Sequence, residues 1–426
     1  MLEIRKFHEE KDTVLAGLRK RNFSDEQLSQ VDDIIRLDLD RKSQQTELDQ
    51  LLAQRNLKSK EIGELFKSGK ASEANAMKEE VQAIKDQIEQ LETGYADTQH
   101  QLHELMVQLP NLPHQLVPAG STEEDNEVYQ EWSGDLPDLG ENARAHWELA
   151  DQYGLIDFQL GAKITGAGFP LFRAKGSQLK RALINFFLAE ANAAGYEELS
   201  VPLMVNADSA YGTGSLPDKE GQMYHIEKDE MYLIPTAEVP VTNVYRDVIM
   251  SADEFPVKMT AYTPCFRREA GSYGAHVKGL NRVHQFDKVE IVQIQHPDKS
   301  HDTLMEMLRH VESLLQKLEL PYRILRLCGG DLTFASALTY DFEVWSAAQK
   351  RWLEVSSVSN FETFQSHRLK CRYRDEDGKT QLAHTLNGSA LALERIVACL
   401  LENHQMPDGI VIPKALVNYT GWERID

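Results

Sequence analysis

Lys258–Lys288 reads KMTAYTPCFRREAGSYGAHVKGLNRVHQFDK, two runs of strand-forming residues around a glycine-rich middle (Gly271, Gly274, Gly279). The pattern predicts a long antiparallel hairpin. Side chains on a strand alternate faces. Arg267 and Glu269 therefore share one face of the first strand, and Arg282, His284, Phe286, Lys288 and Glu290 share one face of the second. The segment carries six Lys or Arg against two acids in a chain of formal charge −21. Arginine matches phosphate oxygens with paired hydrogen bonds, and an aromatic ring gives a purine a surface to stack on. Taken alone, the segment fits equally a salt-bridged exposed sheet face with an ordinary core phenylalanine.

Outward from this hairpin, Leu233–Glu238 (LIPTAE) reads as a short strand with Thr236 and Glu238 on one face. Arg351–Ser357 (RWLEVSS) reads as an apolar strand bearing an acid and hydroxyls. His384–Ser389 (HTLNGS) runs into an apolar helix expected over Ala390–Glu402, which contains Arg395. Singly, each has a plain structural reading: a strand hydroxyl, a helix cap at Ser389, a surface charge. Strands and helices are not regularly interleaved from Ala145 onward, so an α+β fold with an antiparallel sheet is expected rather than a doubly wound parallel one. Neither GxxxxGK[ST] nor GxGxxG occurs, which excludes the two commonest phosphate loops.

The first hundred residues differ. Apolar or small residues recur at 77, 81, 84, 88, 91, 95, 98, 102, 105 and 109, the alternating spacing of a helix seeking a partner helix. Ile34, Leu37, Leu48, Leu51, Ile62 and Leu65 supply that partner, although Arg41, Gln44, Arg55 and Lys58 fall on its seam. Lys67–Ser72 is a polar turn with one glycine, and Pro110 and Pro113 forbid further helix. The expectation is an antiparallel helical hairpin, a coiled coil with arms of roughly 60 Å. Its tip, Ala53–Lys70, holds five Lys or Arg against two acids.

At 426 residues the chain is long enough for two or three domains. Its four cysteines form no CxxC pair, its N-terminus is charged from Glu3, and its longest apolar run is far shorter than a membrane span. These features point to reduced thiols, a cytoplasmic location and no membrane.

Several segments together resemble a class II aminoacyl-tRNA synthetase, specifically the bacterial-type seryl-tRNA synthetase family. They are the hairpin, LPNLPH (109–114), VPAG (117–120), GTGSLP (212–217), LIPTAEVPVTN (233–243), TAYTPCFRREAGS (260–272), GLNRVHQFDKVE (279–290), EVSSVSNFETFQ (354–365), HTLNGSALALER (384–395) and LLENHQMPDGIVIPKAL (400–416). The resemblance covers nearly the whole chain. It implies an N-terminal tRNA-binding domain over 1–112 and a class II catalytic domain over 113–426, built on an antiparallel sheet of six or seven strands flanked by helices. Gly195–Pro202 corresponds to the family's first motif and implies a homodimer.

By the same resemblance Arg267 and Arg395 are the catalytic cations. Arg267, Arg268, Glu269, Val283, Phe286, Glu354, Val355, Ser356, Ser357 and Arg395 bind ATP, with Phe286 stacking on adenine. Glu354 and Ser357 take Mg2+, and no zinc is expected. Thr236, Ala237, Glu238, Glu290, Asn387 and Ser389 form the serine pocket, and Arg55, Lys58 and Lys60 belong to the tRNA arm. The implied activity is ATP-dependent attachment of L-serine to tRNA(Ser) through a seryl-adenylate, with tRNA(Sec) a further candidate. A synthetase-like ligase charging a carrier protein and a non-catalytic coiled-coil scaffold are the alternatives. Two stretches depart from the family pattern: Thr165–Phe169 (TGAGF), where relatives read SGSRF, and Phe364–Arg368 (FQSHR), where they read FQARR. Neither is expected among the core ATP or serine contacts.

Overall fold

The computed structural model describes residues 1–270 and 278–426. Gly271 and Gly274, expected in the middle of the sheet hairpin, lie outside the described residues. Gly279 lies inside, with φ +71°. A Cβ there would stand 2.2 Å from the His146 ring, so only glycine fits. The chain packs as two units, Leu2–Pro110 and Asn111–Asp426, the second including Met1.

In the first unit, three short helices (Ile4–Glu9, Lys11–Lys20 and Asp25–Leu28) precede the long pair α1 (Gln30–Lys67) and α2 (Ala71–Val107). The turn between the long helices contains Gly69 at φ +79°, as the polar break implied. The seam follows the heptads. Val81, Ile84, Ile88 and Leu102 are buried against a partner stripe containing Ile34, Leu37 and Leu48. Arg41, Gln44, Arg55 and Lys58 are half-buried on that seam. One feature has no periodic signature: Asp38 is fully buried on α1 and receives His8 Nε2, Arg41 Nη2 and Lys42 Nζ, each at 2.7 Å. Burial pushes its carboxyl up, but the hydrogen bonds from Lys42, Arg41 and His8 win and hold it down at about 2.

The second unit is built on one sheet of eight strands among the described residues. In chain order these are β1 (Glu127–Gln130), β2 (Glu197–Glu198), β3 (Val257–Phe266), β4 (Gln285–Gln295), β5 (Tyr322–Arg326), β6 (Leu338–Ser346), β7 (Arg351–Glu362) and β8 (His384–Ala392). Their order across the sheet is β1-β5-β6-β7-β8-β4-β3-β2, antiparallel throughout except for β2, which runs parallel to β3. The expectation of six or seven strands is corrected to eight, because the short strands β1 and β2 extend both edges. The hairpin expected from Lys258–Lys288 is the β3–β4 ladder, with Phe286 opposite Cys265 and Glu290 opposite Ala261.

Helices α3 (Ala174–Ala193) and, later in the chain, Ser300–Lys317 and Leu393–Asn403 bring apolar side chains to the main core, among them Leu179, Leu183, Val311 and Ile396. Val289 and Ile291 of β4 join that core, whereas Val292 and Ile294 pack with Ala237 and Val241 in a second cluster. Strand β4 is thus buried on both faces, and its pleat alone decides which residue serves which face.

Two local expectations are corrected. Thr236 and Glu238 do not sit on a strand: the strand ends at Leu233, Pro235 supplies no amide to a ladder, and helix α4 (Glu238–Asn243) begins two residues after Thr236. Pro240 fits the first turn of α4, where no amide partner is needed. Likewise Ser389 is not a helix cap. Strand β8 pairs with β4 as far as Ala392, so the helix that follows starts at Leu393 rather than Ala390.

Candidate active site

The even-numbered residues of β4 and the chain just beyond β3 make one continuous surface. Beyond the last β3 residue, Arg267 N–H still donates to His284 O at 2.9 Å, which keeps the two chains in register. Its guanidinium lies 5.2 Å from the Phe286 ring centroid. Glu269, in the left-handed region at φ +48°, accepts from Arg282 Nη1 at 3.1 Å. The four residues grouped by strand parity therefore do meet, as a flat aromatic ring with a cation beside it and an Arg–Glu pair at its margin. Such a surface suits a stacked base followed by a phosphate. Val283 is buried next to it. Arg268 stacks instead over Tyr224, 5.7 Å from its centroid.

A polar pocket adjoins this platform. Glu290, 1% exposed, accepts from Lys288 Nζ at 2.6 Å and from Thr236 Oγ1 at 3.1 Å. Thr236 Oγ1 in turn accepts the Glu238 backbone N–H at 3.2 Å. Ala237 is buried between them. Ser389 lies opposite Glu290 across the β4–β8 ladder and Asn387 opposite Val292, so both face the same side as Glu290. Part of Glu238 reaches the surface, yet its carboxyl is enclosed. Burial pushes it up to about 7, and the charge of Glu290 adds to the effect against Gln365, Lys288 and Arg267. Two acids sharing one buried site with a single lysine leave an excess of negative charge. An ammonium group with a neighbouring hydroxyl donor would complement it.

A third group stands on β7. Arg395 Nη1 donates to Glu354 O at 2.6 Å and lies 3.4 Å from Glu354 Oε2, while its Nε donates to Asn281 O at 3.1 Å. A bulge in the β6–β7 ladder beside Val355 brings Glu354 opposite Glu343 and leaves Ser357 opposite Asp341. Val355 is buried in the main core and Ser356 donates to Ser389 O, so neither side chain joins Glu354 and Ser357 at the surface. Asp341 Oδ1 is buried without a partner, and burial, with the charge of Glu354, raises the Asp341 carboxyl well above the usual range. This oxygen-rich, negative corner fits a hard divalent cation. Among the described residues no group of three or more His, Cys, Asp and Glu side chains could hold a metal by itself. A cation here would depend on oxygens brought by a phosphate ligand.

Sequence reasoning passed over three contributors. Lys288 was visible by parity but not as the counter-charge of Glu290. Gln365 lies in the departing FQSHR stretch, where no core contact is expected, yet its Nε2 donates to Glu238 Oε1 at 2.6 Å. Asp341 carried no signal beyond its place in an apolar strand. The other departure, TGAGF, also touches the site: Phe169 stacks on His284 at 5.4 Å, and Gly168 O accepts the His284 N–H. On the arm, Lys60 is exposed, Arg55 donates to its neighbour Asn56, and Lys58 is tied to Glu80 of α2 at 2.6 Å.

Residues 1–113 match the family model of the seryl-tRNA synthetase N-terminal domain, and residues 223–404 match that of the tRNA synthetase class II core domain (G, H, P, S and T). A serine–tRNA ligase from Salinibacter ruber is 49% identical over 427 residues, covering 100% of this chain and 99% of that protein. One from Akkermansia muciniphila is 47% identical over 423 residues, covering 99% of this chain and 98% of that protein. The crystal structure of seryl-tRNA synthetase from Pyrococcus horikoshii complexed with ATP superposes with a TM-score of 0.92 at 33% identity, covering 100% of this chain and 99% of that one.

Lys288→Met strips the counter-charge from two buried acids and is expected to cost about 3–5 kcal/mol. Adding Glu290→Gln should recover part of that loss, because the pair is coupled. Urea unfolding followed by tryptophan fluorescence reads the catalytic unit, since all five tryptophans lie between Trp132 and Trp422. Additive effects of the two substitutions would contradict the coupling.

Proposed function

The chain belongs to the seryl-tRNA synthetase family, and on that premise we propose that it activates L-serine with ATP and transfers the seryl group to tRNA(Ser). The observation that carries this reading is the adjacency of the Arg267–Phe286 platform to the buried Thr236–Glu290–Lys288 cluster. A nucleotide and a small amino acid placed on these two sites would meet at Arg267.

Adenine stacks on Phe286, with Glu269 and the Val283 backbone at its edge. Serine enters the acidic pocket, its ammonium toward Thr236 and Glu238 and its hydroxyl toward Glu290. Asn387 and Ser389 border the pocket from β8. The serine carboxylate oxygen then attacks the α-phosphorus, the bond from that phosphorus to the bridging oxygen breaks, and pyrophosphate leaves. Arg267 offsets charge on the α-phosphate and Arg395 on the γ-phosphate. Their effect is electrostatic and positional. No side-chain nucleophile is needed. Mg2+ bound with ATP supplies further neutralisation of the triphosphate, and Glu354 and Ser357, with Asp341 beside them, would hold it. In the second step a terminal ribose hydroxyl of tRNA attacks the seryl carbonyl, and AMP leaves.

Residues 1–112 serve tRNA binding and 113–426 catalysis. The long α1–α2 arm with its basic tip suits RNA, which proteins read through shape and backbone. Gly195–Pro202, followed by the exposed Leu203 and Met204, supports pairing of two copies of the chain through this edge. A cytoplasmic site of action accords with the absence, among the described residues, of any helix long and apolar enough to cross a membrane. tRNA(Sec) is a further substrate to test beside tRNA(Ser).

Charging of tRNA with labelled serine in the presence of ATP tests the reading directly. In a separate exchange assay, Arg267→Ala is expected to slow serine-dependent ATP–pyrophosphate exchange by about 10² or more with the fold intact. Normal exchange in the folded variant would remove Arg267 from the site.

Replacing residues 29–109 with a short Gly/Ser linker should leave exchange within a few-fold of normal and abolish tRNA charging. In the full chain, Arg55→Ala, Lys58→Ala and Lys60→Ala together should weaken tRNA binding and flatten its salt dependence, because lost phosphate contacts release fewer counterions. Lys60, exposed and outside any ion pair with α2, should contribute more than Lys58. Retained charging without the arm would make it a structural element.

A further inference from the structure

Gln365 sits on a helix (Thr363–Leu369) outside the residues assigned above to ATP or serine, and 1% of it is exposed. Its amide is fully used. Nε2 donates to Glu238 Oε1 at 2.6 Å and to Thr213 O at 3.0 Å, and Oε1 accepts from Thr385 Oγ1 at 2.7 Å. The two donors and one acceptor leave only one orientation of the amide that satisfies all three partners. Thr213 belongs to the GTGSLP stretch, and Thr385 shares its face of β8 with Asn387 and Ser389. Three separate segments around the pocket are thus tied to a single buried side chain. Thr213 and Thr385 are themselves buried, at 4% and 1% exposure, so water offers no ready substitute for these bonds.

We propose that Gln365 is a positioning residue for amino-acid selection, holding the Glu238 carboxylate charged and aimed at the ammonium group of the incoming substrate. The proposal rests on the reading of Glu238 as part of the serine pocket. Glu238 has charged neighbours of opposite effect. Glu290 repels its charge, whereas Lys288 and Arg267 favour it from β4 and from the end of β3. Lys288 is itself held by Glu290. Gln365 comes from a separate helix and contacts the Oε1 oxygen directly, so it fixes the direction of the carboxylate as well as its charge. Burial, with the charge of Glu290, raises the Glu238 pKa to about 7 even though the hydrogen bond from Gln365 lowers it. A group with a raised carboxyl pKa holds its charge above that value and loses it as the pH falls through it. Removing the Gln365 donor moves that loss to higher pH.

The test is the pH dependence of the serine KM and the ATP KM in pyrophosphate exchange, for the wild type and for Gln365→Met, which keeps length and volume without polar atoms. The serine KM of Gln365→Met should rise about ten-fold at pH 7, its acid limb should move upward by about one pH unit, and part of the loss should return near pH 8.5. The ATP KM should stay within about two-fold, since Gln365 touches no group assigned to ATP. Thr385→Val, which removes only the donor to Gln365 Oε1, should move the serine KM in the same direction by a smaller factor. It decides the matter if Gln365→Met does not fold. Equal rises in both KM values, or an unmoved acid limb in either folded variant, would overturn the proposal. A wild type with no serine-dependent exchange at any pH would overturn the functional reading itself, and this inference with it. Wild-type exchange alongside unaffected variants would overturn the inference alone.

Discussion

Strand β4 is buried on both sides, and every feature of the catalytic unit is arranged around the alternation of its side chains. Val289 and Ile291 point into the helix-covered core, and Asp287, on the same side, meets Lys180 of α3 and Tyr262. Phe286, Lys288 and Glu290 point to the other side and carry the site. A slip of one residue in the β3–β4 register would exchange these two sets and bury the platform under helices. The pairing of Phe286 with Cys265 and Glu290 with Ala261 is therefore a functional constraint as much as a structural one.

Both faces hold charge in the interior, where it costs most. On the helix side Lys180 lies 2.9 Å from Glu394 Oε1, and Glu394 Oε2 accepts the Asp287 N–H at 2.8 Å. Attraction to Glu394 and Asp287 outweighs the burial of Lys180 and keeps its ammonium above its ordinary range. Glu394 thereby fastens the start of the Leu393–Asn403 helix to the back of β4, one residue from Arg395. On the site side, Lys288 compensates Glu290 but not Glu238 as well. Well-packed apolar side chains would serve stability at least as well as either group. The site-side acids make sense as a pocket left short of one positive charge until a ligand provides it.

What could be read from the sequence is what depends on period or on parity. The heptads placed the arm, including the polar seam positions Arg41, Gln44, Arg55 and Lys58, which are half-buried as a seam requires. Parity placed Phe286, Lys288 and Glu290 together, and the family resemblance named roles for residues that parity had only grouped. Illegible features depend on partners far apart in the chain. Asp38 gives no sign of His8, 30 residues away, and Glu238 none of Gln365, 127 residues away. The bend at Ile234–Ala237 reads as strand in the sequence because a short apolar run with one proline fits either form. The tertiary hydrogen bonds that decide it, Ile234 N–H to Leu203 O and Phe266 N–H to Ile234 O, come from outside the run.

The central claim is that a buried, hydroxyl-seeking pocket around Glu290 lies beside a nucleotide platform. Pyrophosphate exchange measured side by side with serine, alanine and threonine examines it most directly. Serine should support exchange, alanine should be rejected by roughly 10⁴ in kcat/KM because Glu290 would face a methyl group in place of the hydroxyl it binds, and threonine should be excluded by its extra carbon. Alanine supporting exchange nearly as well as serine would contradict the claim.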